Sequence, residues 1–440
     1  MRWSIWVVGG ALTATASVAW AGNNDTVPMG DLAALAGAAV VAAGDDSGSV
    51  AYNPAGLLGI DRNSVSLSAS FFRIQVAQVP GYLVTQTPGG TTQAAASRGS
   101  FDTVPPAVIF GRRLRPNLAG ALSLTVPESI SADSIKRTNP DLSGVQLNEG
   151  LGVVTSTSVY RFGTTVAWAP ATNVRIGGTF NVGVFRTSST QEFELSLVDA
   201  GGGRTYVNSV VVQRGFVGAL GGIAGVQWSI TPRIAAGLTV ETPFFGLFGS
   251  VTDAQLKFFS RTEPGQTPVV AETRNLQSPS GVGERFGTFV ARLGVAYTPH
   301  WGWVSAQVDY RPQPIDSLPW QDKTVTNGRA GAIVDLSPTI RVGAGGFTDF
   351  APRRSSADLG FDFVGGTAGV IWKRQLALRD APQPLLLGTT FALRYAYGWG
   401  RASGLSSDIS STDPDQFAAL ASTPGSIHEV SFYIGSGVNF

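Results

Sequence analysis

The C-terminal residues alternate strictly between two kinds of side chain. The first set, mostly apolar, is Val430, Phe432, Ile434, Ser436, Val438 and Phe440. Small or polar residues fill the gaps, and a period of two is typical of a β-strand with one apolar face. The same alternation recurs further upstream, with Arg, Asp, Gln and Gly on the second face, in residues 174–184, 234–241, 304–311 and 391–400. The pattern predicts an antiparallel sheet with one apolar face.

Short turns and long connections alternate between these strands. Short turns, often containing Pro, are expected at 113–117, 170–173, 230–233, 297–301, 336–339 and 374–384. Long polar connections are expected at 76–102, 128–150, 187–210, 243–284, 312–327, 350–360 and 401–426. Six turns and seven connections require about fourteen strands. Because charges facing lipid cost about 2–4 kcal/mol each at mid-bilayer, we expect the polar faces to line a lumen. The prediction is an all-β, antiparallel transmembrane β-barrel with short periplasmic turns; a soluble β-sandwich would not explain this rhythm.

Composition and the two ends of the chain agree with a barrel. Charged residues make up 14%, Gly contributes 55 of 440 residues, and the net charge of +1 argues against a nucleic-acid binder. Arg2, an apolar stretch and Ala19-Trp20-Ala21 predict a cleaved signal peptide over residues 1–21. The chain contains no Cys, so it lacks both disulfides and a lipid-anchored N-terminus. The terminal Phe440 resembles the signal by which outer-membrane barrels are recognised by their assembly machinery. The expected location is the outer membrane of a Gram-negative bacterium.

Residues 22–63, which we call the hatch segment, precede the first expected strand. Within it, Asp31 is expected to cap a helix over residues 32–43, and Gly44 to end it. The segment is weakly charged and rich in Ala, so it could fit inside a lumen. The expected division is therefore a signal peptide at 1–21, a partly helical hatch at 22–63 and a barrel at 64–440.

The hatch segment carries a specific motif. The runs Gly37-Ala38-Ala39, Gly44-Asp45-Asp46 and Ala51-Tyr52-Asn53-Pro54-Ala55-Gly56-Leu57 resemble the N-terminal hatch of the FadL family. Members of that family transport long-chain fatty acids and hydrocarbons across the outer membrane. The resemblance implies a monomeric passive transporter for a hydrophobic small molecule, in contact with outer-membrane lipid and lipopolysaccharide.

The resemblance also implies a route for the cargo. In the family the Asn-Pro-Ala motif, here Asn53, Pro54 and Ala55, lies beside a kink in the third strand that opens the barrel wall sideways. The third strand is expected at residues 118–127, and its proline suits a kink, although Pro127 could simply end the strand. The expected lateral opening is formed by Ala107, Thr125 and Pro127.

Candidate ligand contacts follow from the same resemblance. The landing groove is expected in the fourth outer loop, at Phe244, Phe245, Leu247 and Phe248. Arg186 is the candidate to meet a fatty-acid carboxylate. Four other arginines are equally compatible with lumenal charges paired with Asp309 or Glu241, namely Arg161, Arg175, Arg292 and Arg394.

Enzymatic chemistry is not indicated. The only two histidines, His300 and His428, are expected on opposite sides of the membrane, which excludes a shared catalytic or transition-metal site. We expect no enzyme activity, no catalytic residue, no metal and no cofactor. An alternative to transport stays open: a FadL-like barrel could serve as a docking or scaffold component of an envelope secretion or motility machine.

Overall fold

The computed structural model describes most of the chain after the predicted signal peptide. The described residues are 28–60, 62–87, 90–104, 107–138, 141–142, 145–198, 202–262, 269–277, 281–283, 285–286, 288–313, 323–351, 360–377, 384–408 and 418–440. The predicted signal peptide lies outside these residues. In the described part of the chain, no helix is both long and apolar enough to cross a bilayer.

Two short helices and nineteen strand segments make up the described structure. The helices are α1 (Asp31–Leu35) and α2 (Ser49–Tyr52), followed by a 3-10 helix at Pro54–Gly59. The strands are β1 (Ser64–Thr87), β2 (Gly90–Val104), β3 (Ala107–Arg115), β4 (Leu118–Thr138), β5 (Asp141–Leu142), β6 (Val145–Ala171), β7 (Val174–Val198), β8 (Arg204–Ser229), β9 (Ile234–Glu241), β10 (Phe244–Thr262), β11 (Val269–Gln277), β12 (Arg285–Phe286), β13 (Val290–Tyr297), β14 (Gly302–Arg311), β15 (Val325–Ser337), β16 (Ile340–Asp349), β17 (Gly360–Leu376), β18 (Leu385–Asp408) and β19 (Ala418–Asn439).

These segments form a closed barrel of fourteen antiparallel strands, which confirms the predicted fold class. The second strand is divided into β2 and β3, the seventh into β9 and β10, and the eighth into β11, β12 and β13; β5 is a two-residue extension. Closure is made by β1 and β19, whose ladder starts at Ser64 and Asn439. The last strand therefore pairs with the first, and no edge is left there.

The side chains alternate across the wall as the sequence pattern predicts. On β14, Ser305, Gln307 and Asp309 are buried on the lumenal side, whereas Val304 and Val308 are exposed on the outside. Large apolar residues cover the outer surface around the ring, among them Leu122, Phe180, Leu293, Trp372 and Phe432. An apolar outer band with a polar interior is the arrangement of a barrel that crosses a membrane.

Five of the six predicted short turns are present, and most of the sixth, 374–384, lies outside the described residues. Most predicted long connections are wrong in their boundaries. Five short turns lie at 116–117, 172–173, 230–233, 298–301 and 338–339. By contrast, β1 and β2 continue as a hairpin up to Thr87 and Gly90, and β7 and β8 pair up to Val198 and Arg204. Beyond the membrane both faces of a strand are solvated, so the hydropathy pattern disappears, although the backbone ladder continues.

Candidate functional site

The described part of the hatch segment is packed inside the barrel. Leu35 and Leu57 are fully buried, and the hatch contacts strands on several sides of the ring. Polar side chains of the wall bind its backbone: Thr367 Oγ1 donates to Leu35 O at 2.7 Å, and Thr179 Oγ1 donates to Val50 O at 3.0 Å. Gln227 Nε2 donates to Gly44 O at 3.0 Å. The lumenal polar residues thus satisfy backbone groups of a segment that has little regular structure of its own.

Asn53 connects two parts of the hatch to the wall. Its Nδ2 donates to Val41 O at 2.7 Å and to Val226 O at 3.0 Å, while its Oδ1 accepts from Ala55 N at 3.2 Å. The carboxamide therefore caps the 3-10 helix and holds it against β8. Asn53 is only 1% exposed, so each of these bonds lies away from water.

Two paired glycines make room for this contact. Gly177 on β7 and Gly225 on β8 are register partners. A Cβ at Gly225 would collide with the Asn53 carboxamide, and one at Gly177 would collide with the backbone of Pro54 and Ala55. The Asn-Pro-Ala motif therefore docks on β7 and β8. The 3-10 helix that begins at Pro54 also contacts β4, the third strand.

The residues after the motif connect the hatch to β3, which belongs to the second strand. Leu57 and Leu58 share an apolar cluster with Ala107 and Ile109 of β3. Arg113, at the other end of β3, donates from Nη1 to Leu58 O and, at 3.2 Å, to Ile60 O. The 3-10 helix is thus fastened along the inner face of β3.

The helix at the start of the hatch is shorter than predicted. It ends at Leu35 instead of Ala43, because Gly37 and Ala38 take left-handed backbone angles, with φ of 60° and 62°. With these angles the chain leaves the helix and packs closely against the wall. A Cβ at Gly345 would collide there with the backbone at Ala36 and Gly37. The tertiary contact outweighs the helical propensity of the Ala-rich run.

Asp31 does not cap this helix. Leu32 N instead donates to Asp46 Oδ2 at 3.2 Å, and Asp31 Oδ1 accepts from Tyr433 OH at 3.1 Å. Burial raises the pKa of Asp46 to about 7, and the neighbouring Asp31 carboxylate adds to the rise. Burial likewise raises the pKa of Asp31. Both carboxyl groups line a cavity of about 230 Å³ at the short-turn end of the barrel.

Beside the hatch, the backbone ladder between the second and third strands is interrupted, although β2 and β4 remain in contact. The β3–β4 ladder ends at the pair Ala107 and Thr125. Further up, within the described residues, β2 has register partners on β1, and β4 from Glu128 onward has partners on β6; no described ladder joins β2 to β4. Ala107 and Thr125, both buried on the inner side, mark the foot of this interruption.

Pro127 lies inside a strand and does not end one. The third strand continues to Thr138, beyond the predicted end at residue 127. Between Thr125 and Glu128 the register against β6 slips by one residue, which is a β-bulge. A proline at a bulge removes one more backbone donor from the wall.

The four residues of the expected landing groove are separated by the wall. They lie on strand β10 and not in a loop, so neighbouring side chains point to opposite faces. Phe244 is buried on the lumenal side, while Phe245, Leu247 and Phe248 are exposed. Phe248 packs against Phe216, which is also exposed, with ring centroids 6.2 Å apart. A single groove built from all four is therefore wrong.

Phe244 belongs to a lumenal aromatic cluster. Its ring lies 5.4 Å from Phe185 in an edge-to-face arrangement, and Phe185 stacks on Phe286 at 5.1 Å. The Arg161 guanidinium lies 4.9 Å from the Phe244 ring centroid and pairs with Glu241 at 2.9 Å. Arg292 contacts the other oxygen of Glu241 at 2.8 Å. The cluster thus combines an apolar surface with the Arg161 guanidinium, whose buried Nε has no hydrogen-bond acceptor.

Arg186 does not face this cluster. It is exposed, whereas its neighbours on β7, Phe185 and Thr187, are buried. Its register partner Phe216 is also exposed, so the Arg186 side chain points away from the lumen. The prediction that Arg186 meets a fatty-acid carboxylate in the lumen is therefore wrong, because the residue lies one position away from the lumenal face of β7.

Several residues of the site were not singled out from the sequence. Arg113, Phe185, Phe286 and the glycine pair Gly177 and Gly225 are separated along the chain by tens of residues and meet only in the closed barrel. The glycines lie on the small face of clearly alternating strands, which is the one signal that could have marked them.

Solved structures resemble this arrangement over nearly its whole length. A FadL homologue from Pseudomonas aeruginosa superimposes with a TM-score of 0.59 and 12% identity, covering 94% of this chain and 99% of that one. The chain has the FadL-type fold. The toluene transporter TodX of P. putida superimposes with a TM-score of 0.52 and 11% identity, over 90% of this chain and 94% of that one.

Sequence comparison adds no closer match. No protein-family model matches the chain, and neither does any curated protein. The closed barrel and its apolar outer wall make the protein an outer-membrane β-barrel of a Gram-negative bacterium.

Proposed function

We propose that the protein is a passive outer-membrane transporter for hydrophobic compounds, most simply long-chain fatty acids, which leave the lumen sideways through the barrel wall. The single observation that carries the proposal is the end of the β3–β4 ladder at Ala107 and Thr125, next to the bulge at Pro127. The proposal follows the FadL-type fold, whose solved examples include a toluene transporter.

A sideways exit suits the contents of the lumen. The hatch is packed against the wall on several sides and obstructs a straight passage to the periplasm. Apolar cargo gains about 25 cal/mol for each Å² withdrawn from water, so release into the bilayer is favoured over release into the periplasm. Because no ladder joins β2 to β4 within the described residues, fewer backbone hydrogen bonds have to break there when cargo passes.

The aromatic cluster is the proposed lumenal binding surface. Of the four apolar residues predicted for capture, Phe244 supports this role because it faces the lumen. For a fatty acid, Arg161 replaces Arg186 as the proposed carboxylate contact, because its guanidinium lies beside Phe244 and keeps a buried N–H without an acceptor. A charge-assisted hydrogen bond there would be stronger than one in water.

The docking alternative would use the apolar residues 244–248 as a partner surface, and the position of Phe245 does not favour it. Phe245 pairs with Leu220 on β8, nine residues above the end of that strand at Ser229. At about 3.3 Å per residue and a tilt of about 40°, this places Phe245 about 23 Å up an apolar band about 25 Å tall. Aromatic residues at that height form the usual outer girdle against lipid.

The test is uptake of a radiolabelled long-chain fatty acid by cells that lack their own transporter. We expect Ala107→Glu to abolish most uptake, because a charged side chain then occupies the foot of the interruption. Ala296→Glu is the matched control, since it places the same side chain in the lumen on β13, nearly across the barrel, where Ala296 is also buried. Both variants must show the heat-modifiable mobility of folded barrels. Full uptake by folded Ala107→Glu, or equal loss in both variants, would refute the lateral route.

A further inference from the structure

Two arginines on the outside of the β3–β4 hairpin carry no protein partner. Arg112 and Arg115 are both exposed, and within the described residues neither guanidinium makes a hydrogen bond or an ion pair. Arg113 between them points inward and binds the hatch, so the strand alternation directs Arg112 to the membrane side. The two charges remain available on the outer face.

The surroundings of the two arginines are apolar. Phe110 and Leu114 flank Arg112 on the outward face of β3, at 42% and 52% exposure, and Leu122 covers β4 at 59%. The residue paired with Arg112 is Gly120, which leaves the space beside it without a side chain. The outer face of β3 and β4 is therefore an apolar strip with two arginines, Arg112 and Arg115, at its short-turn end.

Along the membrane normal, this apolar strip is about as long as one leaflet of the membrane is thick. Trp168 is exposed one strand away, where its register partner Leu118 starts β4, and an interfacial Trp marks the headgroup level. Thr125, the partner of Ala107, is seven residues above Leu118, about 23 Å along the strand and about 18 Å along the membrane normal at a tilt of about 40°. The mid-plane lies about 20 Å from the headgroup level of a bilayer about 40–45 Å thick, so the ladder ends close to the mid-plane.

We propose that Arg112 and Arg115 bind the phosphate of an anionic phospholipid in the periplasmic leaflet, whose acyl chains lie along β3 and β4 up to the end of their ladder. A guanidinium pair recognises a phosphate through charge-assisted hydrogen bonds. A lipid held there covers the lower outer wall with its tails and brings its chain ends to the interruption between β2 and β4.

Charge selects an anionic headgroup over a zwitterionic one. Among the described residues at the short-turn end, Asp31, Asp45 and Asp46 belong to the hatch inside the barrel, and Asp335 pairs with Arg341. No described carboxylate side chain therefore neutralises the Arg112–Arg115 site. An ammonium group on the headgroup would be repelled by the same cations that attract the phosphate.

The experiment measures lipid binding by native mass spectrometry on the delipidated full-length barrel. Phosphatidylglycerol and phosphatidylethanolamine with identical acyl chains are titrated separately. We expect the parent to bind phosphatidylglycerol at least about tenfold more tightly. Arg112→Gln/Arg115→Gln should lose most of that preference. Arg233→Gln/Arg374→Gln should keep it; this variant removes two other exposed arginines at the same end of the barrel, whose guanidinium groups also have no partner in the described part of the chain.

The outcomes that overturn the proposal are distinct. Equal binding of the two lipids by the parent, or equal loss in both double variants, would reduce the site to diffuse surface charge. Displacement by low-millimolar inorganic phosphate would mark a general anion site. If the Arg112/Arg115 variant does not fold, a photoreactive phosphatidylglycerol is used on the parent; its cross-links should concentrate in residues 107–125, and an even distribution around the ring overturns the proposal. None of these readouts depends on uptake, so this inference and the transport function succeed or fail separately.

Discussion

Removal of the Asn53 side chain should release the hatch from the wall without unfolding the barrel. Asn53→Ala deletes the donors to Val41 O and Val226 O and the acceptor of Ala55 N. Because the site is 1% exposed, the three backbone groups lose partners that water does not readily replace. A buried unsatisfied group costs about 1–3 kcal/mol, so we take about 3 kcal/mol in total as a conservative figure.

This magnitude is measurable as local opening of the hatch. At 1.4 kcal/mol per factor of ten, about 3 kcal/mol raises the open population by about a hundredfold. Hydrogen exchange followed by mass spectrometry should therefore accelerate by about that factor in peptides covering residues 49–60, while amides of β13 to β16 keep the parent rate. Asn117→Ala, in an exposed turn, is the matched control and should leave the hatch unchanged. If hatch amides of folded Asn53→Ala exchange at the parent rate, the carboxamide does not hold the hatch.

Four further predictions concern the hatch charge, assembly, topology and the ligand. Because burial raises the pKa of Asp46 from 3.8 to about 7, its contribution to hatch docking is fully present below about pH 4 and lost as pH rises to 7. Hatch exchange, corrected for intrinsic rates, should therefore speed up over that range in the parent. It should speed up less in Asp46→Asn, where Asp31, whose pKa burial also raises, still titrates. Deletion of Phe440 should leave unfolded protein in the periplasm, seen as loss of the heat-modifiable gel band; normal folding would contradict its role as an assembly signal. In this chain without Cys, Asp408→Cys should react with an impermeant thiol reagent on intact cells, and Thr172→Cys only after permeabilisation. Arg161→Gln should weaken binding of a fatty acid about tenfold, and binding of the matching alcohol less than twofold, measured by calorimetry.

Sequence patterns predict this structure best where the bilayer itself imposes the pattern. The alternation over residues 304–311 predicted an apolar outer face and a lumenal face with Gln307 and Asp309, as the structure has it. The fold class, the short turns and the closing strand followed from the same rule, because lipid penalises every charge on the outside. Where that penalty ends, the prediction failed: residues 187–198 were expected as a loop and extend β7.

The lumenal site needed the closed barrel. Phe244 and Phe245 are adjacent and equally apolar, so only the start of β10 at Phe244 decided that one faces the lumen and the other the membrane. For the same reason, the adjacent residues Phe185 and Arg186 face opposite sides of the wall: Phe185 faces the lumen and Arg186 faces outward. A strand register is a long-range backbone pairing, and a slip of one residue exchanges the two faces.

The sequence by itself determined that the chain forms an outer-membrane barrel, because periodicity and turn chemistry are local properties that the bilayer selects directly. The hatch was expected from the composition of residues 22–63 and from the resemblance of their motif to the FadL family. Tertiary structure alone decided that Asn53 binds β8, that Asp46 takes the place of Asp31 at the helix start, and that the β3–β4 ladder stops at Ala107 and Thr125. These contacts join residues up to 173 positions apart. Their geometry follows from barrel closure and close packing, which no short stretch of sequence encodes.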